Sequence, residues 1–256
     1  MAAPFSNSKS RFSDRVDDYV RYRPRYPKEV VGAVQDVCGL RPEHLIADVG
    51  CGTGFLAEIF LQNGNRVIGI EPNEAMREAG SAYLSRYPKF SMRDGNAEET
   101  TLEDASVDLV MAGQAFHWFE PQKTRREFAR VLRRGGWVVL VWNDRDVTST
   151  AFSRAYEEFL RNFGVDYEEV AHSHVASMER LEQFFAPKPV RLTTIESAQE
   201  FDYEGLNGRL FSSSYIPKSG PGYEEMIKEL PGLFGALAED GRVKMKYETK
   251  VYCGQL

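Results

Sequence analysis

Between Leu45 and Asn143, short apolar runs of strand length alternate with stretches whose apolar residues recur at helical spacing. Leu45 to Gly50, Arg66 to Glu71, Lys89 to Asp94, Val107 to Gln114 and Gly136 to Asn143 read as strands. Phe55 to Gln62, Asn73 to Arg86 and Pro121 to Arg133 read as the helices between them. Parallel strands need crossover connections that cover both faces of a sheet, so this order predicts an α/β fold: a Rossmann-like, doubly wound, mostly parallel sheet flanked by helices. The third run, KFSMRD, is polar enough to sit at a sheet edge. Upstream, Lys28 to Cys38 carries Val30, Val31, Val34 and Val37 at helical spacing behind two X-Pro breaks and reads as a cover on the sheet.

Beyond Arg145 the alternation stops. Ala151 to Phe163 and Ser177 to Phe185 read as helices of a lid or insertion after the fifth strand. Val190 to Glu196 and Val243 to Tyr252 read as strands, with a helical stretch at Tyr223 to Leu237 between them. The expected organisation is one domain over 1–256. It has an N-terminal cap (1–40), a binding core (41–145), helical lid and substrate segments (146–189 and 199–240), and strands 190–196 and 243–252 that complete the sheet. There is no internal repeat and no low-complexity segment.

The chain has 256 residues, 42% hydrophobic and 27% charged, which is ordinary globular usage. A formal net charge of -6 argues against a general nucleic-acid binder, whose phosphate-tracking surface shows as a basic excess. Cys38, Cys51 and Cys253 are too few and too scattered for a disulfide framework or a zinc site, which fits a reducing compartment and no bound metal. No apolar run approaches the roughly 20 residues that span a bilayer, and the first residues lack the apolar core of a signal peptide. The expectation is a cytoplasmic protein without a membrane partner.

The candidate chemistry lies where the first strand turns into a helix. Asp48-Val49-Gly50-Cys51-Gly52-Thr53-Gly54 makes a tight turn in which missing side chains let a ligand approach the backbone, or let a strand and a helix cross closely. The spacing is G-x-G-x-G, whereas a dinucleotide fingerprint is G-x-G-x-x-G; here Phe55 stands where its third glycine would fall. Glu71 ends the second strand about 20 residues on, where an acid accepts the ribose hydroxyls of an adenosine. Turn and acid together point to a nucleoside cofactor, with a dehydrogenase as the poorer option.

The successive segments ADVGCGTG, VIGIEPNEAM, DGNAEE, LVMAGQAFHWFEP and VLRRGGWVVLVW resemble the motifs of class I S-adenosylmethionine-dependent methyltransferases of the type 11 kind, across about Ile46 to Trp142. The opening RFSDRVDDYVRYRPRYP and the HWF triplet resemble the small-molecule branch that includes the trans-aconitate methyltransferase-like proteins. The resemblance implies that Gly50, Cys51, Gly52, Thr53 and Gly54 pass under the methionine half of S-adenosylmethionine and that Asp48 helps hold its ammonium. It implies a ribose clamp at Glu71, packing of Pro72 and Met76 near the adenine, and Asn96 with Ala97 at its edge. Asn96 stands where the family often has Asp.

Ligands of open α/β sheets sit beyond the carboxyl ends of the strands, so Gln114, Ala115, Phe116, His117 and Trp118 face the reacting methyl. Phe116 and Trp118 are either core residues or aromatic walls that attract a sulfonium. His117 is either a general base for a hydroxyl acceptor or an orienting and packing residue. His44, His172 and His174 read as loop and surface residues. The cluster Tyr19, Arg21, Tyr22, Arg23, Arg25 and Tyr26 is either a solvated basic patch or a lid whose Tyr19 or Arg23 reaches a carboxylate of the cofactor or of the substrate. Asn143, Arg145, Arg209 and Tyr215 are candidates for the acceptor pocket by position. The expected function is methyl transfer to a small-molecule acceptor, a carboxylate among the options, by a monomer or homodimer. The alternative is a module that binds the cofactor without transfer.

Overall fold

The computed structural model describes residues 20–168 and 177–256. Strands β1 (Leu45–Val49), β2 (Arg66–Ile70), β3 (Phe90–Arg93), β4 (Val107–Gly113), β5 (Leu132–Arg145), β6 (Val190–Phe201) and β7 (Val243–Gly254) form one sheet in the order β3-β2-β1-β4-β5-β7-β6. Neighbours from β3 to β5 are parallel, and β7 runs antiparallel to both β5 and β6. The order reverses between β1 and β4, and a crevice opens at such a switch point beyond the strand ends.

The apolar pattern explains the layers. Alternate residues of the central strands feed two cores: Ala47, Val49, Val110, Leu140 and Trp142 on one face, Ile46, Leu109, Met111, Val139 and Val141 on the other. Helix α1 (Glu29–Cys38) and helix α2 (Phe55–Gln62) cover the second face, and every residue of α2 from Phe55 to Leu61 is buried. Helix α3 (Glu74–Tyr83) follows β2, and Asn73 caps it by accepting from the Met76 amide. Helix α4 (Pro121–Val131) and helix α6 (Ser177–Phe185) cover the first face. A third apolar cluster joins α5 (Ala151–Phe163), α7 (Tyr203–Phe211) and α8 (Pro221–Leu237) to the start of β7.

Most expected elements are present within a few residues, and β3 is the edge strand. Three differences have local causes. β5 starts at Leu132, across an irregular register beside Val107 and Leu109, so α4 ends at Val131. β6 runs on to Phe201 because its polar residues alternate as the outermost strand. The sequence reading misses α7, whose Gly205 and Gly208 lower helix propensity; Asp202 caps it, and Leu206 and Leu210 bury its apolar face. Gly208 is required there, because a Cβ would lie 2.1 Å from the Tyr22 ring.

Tyr19, His172 and His174 lie outside the described residues. Among the described residues no helix is long and apolar enough to cross a membrane.

Phe116 is buried in the first core, with edge-on contacts to Phe119, Trp142 and Phe184 at ring separations of 6.0, 6.2 and 5.0 Å. Its place is among packed rings. Phe116→Ala is expected to cost about 3–5 kcal/mol of folding stability, as for other buried aromatic truncations; a loss under about 1 kcal/mol by urea denaturation would contradict this placement.

Candidate active site

The turn after β1 is tied to β2 by the amides of Gly50 and Cys51, which donate to the Ile70 carbonyl at 2.8 and 3.2 Å. Two glycines decide its shape. At Gly50, φ is 68° and a Cβ would lie 2.7 Å from that of Ala115, so the turn is pressed against the end of β4. At Gly52, φ is 55° and nothing lies within 4 Å of where a Cβ would project, so the turn is open on that side. Glu71 is buried at the end of β2 and accepts the Gly52 amide at 2.9 Å on one oxygen and the Asn73 amide at 3.0 Å on the other. Each oxygen retains capacity for a further donor.

Asp48 is fully buried, and neither of its carboxylate oxygens has a hydrogen bond of normal geometry among the described residues. Burial, with a smaller contribution from the Glu71 charge, pushes its carboxyl up to about 8, while the Ala57 amide pulls the other way. Burial also raises Glu71, opposed by the Asn73 and Gly52 amides and by Arg77. The Cys51 thiol is held far up by burial, and its sulfur lies 3.4 Å from the Met92 sulfur, so it packs as a neutral group. The Thr53 hydroxyl is buried without a partner among the described residues. Pro72 is half-buried and Met76 buried at the start of α3. The Asn96 side-chain oxygen accepts the amides of Glu98 and Glu99, both at 2.9 Å, which closes the loop after β3 around buried Ala97.

On the β4 side, Gln114 adopts a left-handed φ of 53°. Its Nε2 donates to the Asn143 carbonyl at 3.0 Å, and its Oε1 is buried without a partner among the described residues. Ala115 is buried against the turn, and His117 and Trp118 are half-buried with rings 4.8 Å apart.

Arg23 donates through Nε and Nη2 to the Ser212 carbonyl at 3.2 and 2.9 Å, so this arginine ties the cap to the end of α7. Arg25 lies 3.7 Å from the centre of the Phe55 ring and bonds the Tyr83 hydroxyl. The buried Tyr26 fills the space beside Gly113.

On the lid side, Asn143 accepts the Thr249 hydroxyl at 2.7 Å. Arg145, Arg209 and Tyr215 come together with residues that sequence reasoning missed: Tyr156, Glu157, Tyr167, Ser213 and Tyr247. These arrive from separate elements and share no local spacing.

Comparisons with known proteins bear on this geometry. The profile described as "Methyltransferase domain" matches residues 47–140. Residues 47–140 are thus similar to the methyltransferase domain family. An uncharacterized methyltransferase of Mycobacterium tuberculosis is 38% identical over 135 residues, which are 53% of this chain and 53% of that protein. An uncharacterized methyltransferase-like protein of Schizosaccharomyces pombe is 34% identical over 138 residues, 54% of this chain and 53% of its own. The chain thus matches about half the length of these curated relatives. In fold, it is similar to a putative type II methyltransferase from Anaeromyxobacter dehalogenans, with TM-score 0.70, 22% identity, and coverage of 91% of this chain and 98% of that one.

S-adenosylmethionine is the cofactor of that family, and the residues present fit it. The open side of Gly52 admits a ligand against the backbone, Glu71 keeps acceptor capacity for hydroxyls, and the buried, unneutralised Asp48 suits a cationic ammonium.

Two outcomes follow. With a carboxyl raised from the ordinary 3.8 to about 8, the folded protein binds more protons than the unfolded chain between those values, so this group's contribution to stability declines as pH rises through that window. A bound ammonium favours the ionised form. S-adenosylhomocysteine binding at pH 7 should therefore release up to about one proton, read as a dependence of calorimetric heat on buffer ionisation enthalpy. Asp48→Asn should abolish that dependence; its absence in the unaltered protein would refute the assignment. Separately, Gly52→Val should remove S-adenosylhomocysteine binding while the circular dichroism spectrum stays that of a folded protein. Unchanged affinity would make the turn a packing device.

Proposed function

We propose that the protein transfers the methyl group of S-adenosylmethionine to a carboxylate oxygen of a small-molecule acceptor. The observation that carries this reading is the cradle at the ends of β1, β2 and β4, where a buried Asp48 without a counter-charge, the open side of Gly52 and the Glu71 carboxylate converge. It supports a cationic nucleoside ligand. The cofactor supplies an electrophilic methyl group, and the chain's own residues supply alignment and exclusion of water.

The reading of the acceptor class is supported by what stands beyond β4. The side chains of Asn143 and Arg145 share one face of β5, and Arg145 brings a guanidinium to that side. A carboxylate is already ionised at neutral pH and attacks without losing a proton, so this reaction asks no general base of His117. Arg145, although paired with Glu157, and Arg209, bonded to Ser213, support an anionic acceptor over a neutral phenol or alcohol.

A cofactor-saturated transfer assay with carboxylate and phenol panels tests this. Carboxylates should be methylated with little pH dependence between about pH 6 and 8. His117→Ala should lower their turnover by less than roughly 10-fold, against the 10²-fold to 10⁴-fold loss expected when a base is removed. Turnover confined to phenols, with an acidic limb that His117→Ala abolishes, would replace carboxylate methylation with hydroxyl methylation.

A further inference from the structure

The loop that follows β3 is anchored on α4 at two points. Glu98 accepts the Glu120 amide at 2.7 Å, just before the helix begins, and the Thr124 hydroxyl at 3.4 Å in its first turn. Further along the helix, the buried Glu127 accepts the amide and the hydroxyl of the fully buried Thr100 on one oxygen, at 2.8 and 2.5 Å. Arg130 donates to both oxygens of Glu127, at 2.7 and 2.8 Å, and to Asp104 at 2.6 Å. Burial opposes the charge on Glu127, but Arg130 and Thr100 outweigh it and lower the carboxyl to about 2, so Glu127 is ionised at neutral pH.

The residue after this grip is strained. Thr101 has a φ of 61°, a left-handed value that a β-branched residue rarely adopts. Such a conformation persists only where the surroundings over-determine it. Here Thr100 is held by Glu127 on one side, and Leu102 is buried in the first core on the other. The loop that this bend closes is compact and lies against β2. Asn96 and Glu99 exchange backbone bonds at 3.1 and 3.3 Å, and a Cβ at Gly95 would lie 2.9 Å from Ile70 Cγ2 at the end of β2. Arg77 ties the same strand ends, donating to the Glu71 carbonyl at 2.9 Å and to Asp94 at 3.0 Å. The strands stand in the order β3-β2-β1-β4, so the loop lies beyond Glu71 on the side away from β4. A nucleoside with its sulfonium at the ends of β1 and β4 and its ribose on Glu71 directs its base toward this loop.

We propose that Glu127 is a positioning residue for the cofactor: through Thr100 it holds Thr101 in its left-handed conformation and keeps residues 95–100 shaped to receive the base. This rests on the methyl-transfer reading and names what holds one end of that same site. Glu127 lies behind the loop, bonded to Thr100 and Arg130, and works on capture of the cofactor rather than on transfer. The sulfonium end is served by the turn after β1 and the end of β4, so loosening the base loop weakens binding and spares the reaction of cofactor once bound.

The test reads S-adenosylhomocysteine affinity by calorimetry, amide hydrogen exchange in the ligand-free protein, and transfer kinetics on the best acceptor of the carboxylate and phenol panels. Glu127→Ala should weaken S-adenosylhomocysteine by roughly 10-fold and raise the KM for S-adenosylmethionine by a similar factor, with kcat changed less than about 3-fold. In the ligand-free variant the amides of Glu98, Glu99 and Thr100 should exchange faster, while those of Gly50 and Cys51 keep their protection. Glu127→Gln, which retains an oxygen for Thr100, should lose less than about 3-fold in affinity. Adding Thr101→Asn to Glu127→Ala should recover part of the loss, because asparagine tolerates the left-handed conformation. Should Glu127→Ala fail to fold, Thr100→Val decides: it keeps the amide and removes the hydroxyl, and its affinity should fall by roughly 3-fold or more. Unchanged affinity in the folded variant, a fall in kcat as large as the rise in KM, or no recovery with Thr101→Asn would overturn the proposal. If S-adenosylhomocysteine does not bind the unaltered protein, the methyl-transfer reading falls; if it binds the unaltered protein and Glu127→Ala equally, only the role of Glu127 falls.

Discussion

The contact between Gly50 and Ala115 sets how the ends of β1 and β4 meet. A Cβ at Gly50 would sit 2.7 Å from the Ala115 Cβ, well inside van der Waals contact, so the chain closes this junction only with glycine there. The turn pressed against β4 has its amides on the end of β2 and its next glycine facing open space, and Gln114 is left-handed where β4 ends. The remaining features of the mouth hang on that closure. Glu71 is held by the amide of Gly52, and Gln114, beside Ala115, is held by the carbonyl of Asn143.

Electrostatically the site is polarised along the sheet. On the β1 side, Asp48 and Glu71 lie close enough for the charge of one to raise the other, and burial disfavours their ionised forms. On the β5 side, Arg145 pairs with Glu157, and among the described residues the buried Arg209 bonds only neutral oxygens. Each half is unfavourable alone in a low-dielectric setting. A cationic ligand beside Asp48 relieves the first half.

How much of this was legible in the sequence depended on whether the signal was local. β1, β2, β4 and α2 are apolar runs bounded by glycine and polar residues, so their positions follow within a residue, whereas β5 begins four residues earlier than its apolar run; β3 was legible as an edge by its polarity. The turn and Glu71 could be found because they sit at fixed separations along the chain. Helix α7 was hidden by Gly205 and Gly208, which argue against a helix until Tyr22 is seen to occupy the space beside Gly208. The aromatic HWF segment allowed two readings, and only packing against Trp142 and Phe184 puts the Phe116 ring in the core. Arg145 and Arg209 could be suspected from position, but Tyr156, Glu157 and Tyr247 become their neighbours through tertiary structure, for which no local pattern exists.

β5 runs without interruption from the core to the lid. Val139 and Val141 are locked between layers, Asn143 is bonded to both neighbours' side chains or backbone, and Arg145 stands on the same strand, still paired with Tyr247 of β7. Such a strand is a lever arm without a hinge. The separation between the end of β4 and the arginine cluster is therefore a fixed gauge length, and the cap is joined to the end of α7 by Arg23 through a backbone carbonyl. Breaking that bond would free the cap from α7 without altering the span that β5 fixes between the sheet's mouth and the lid.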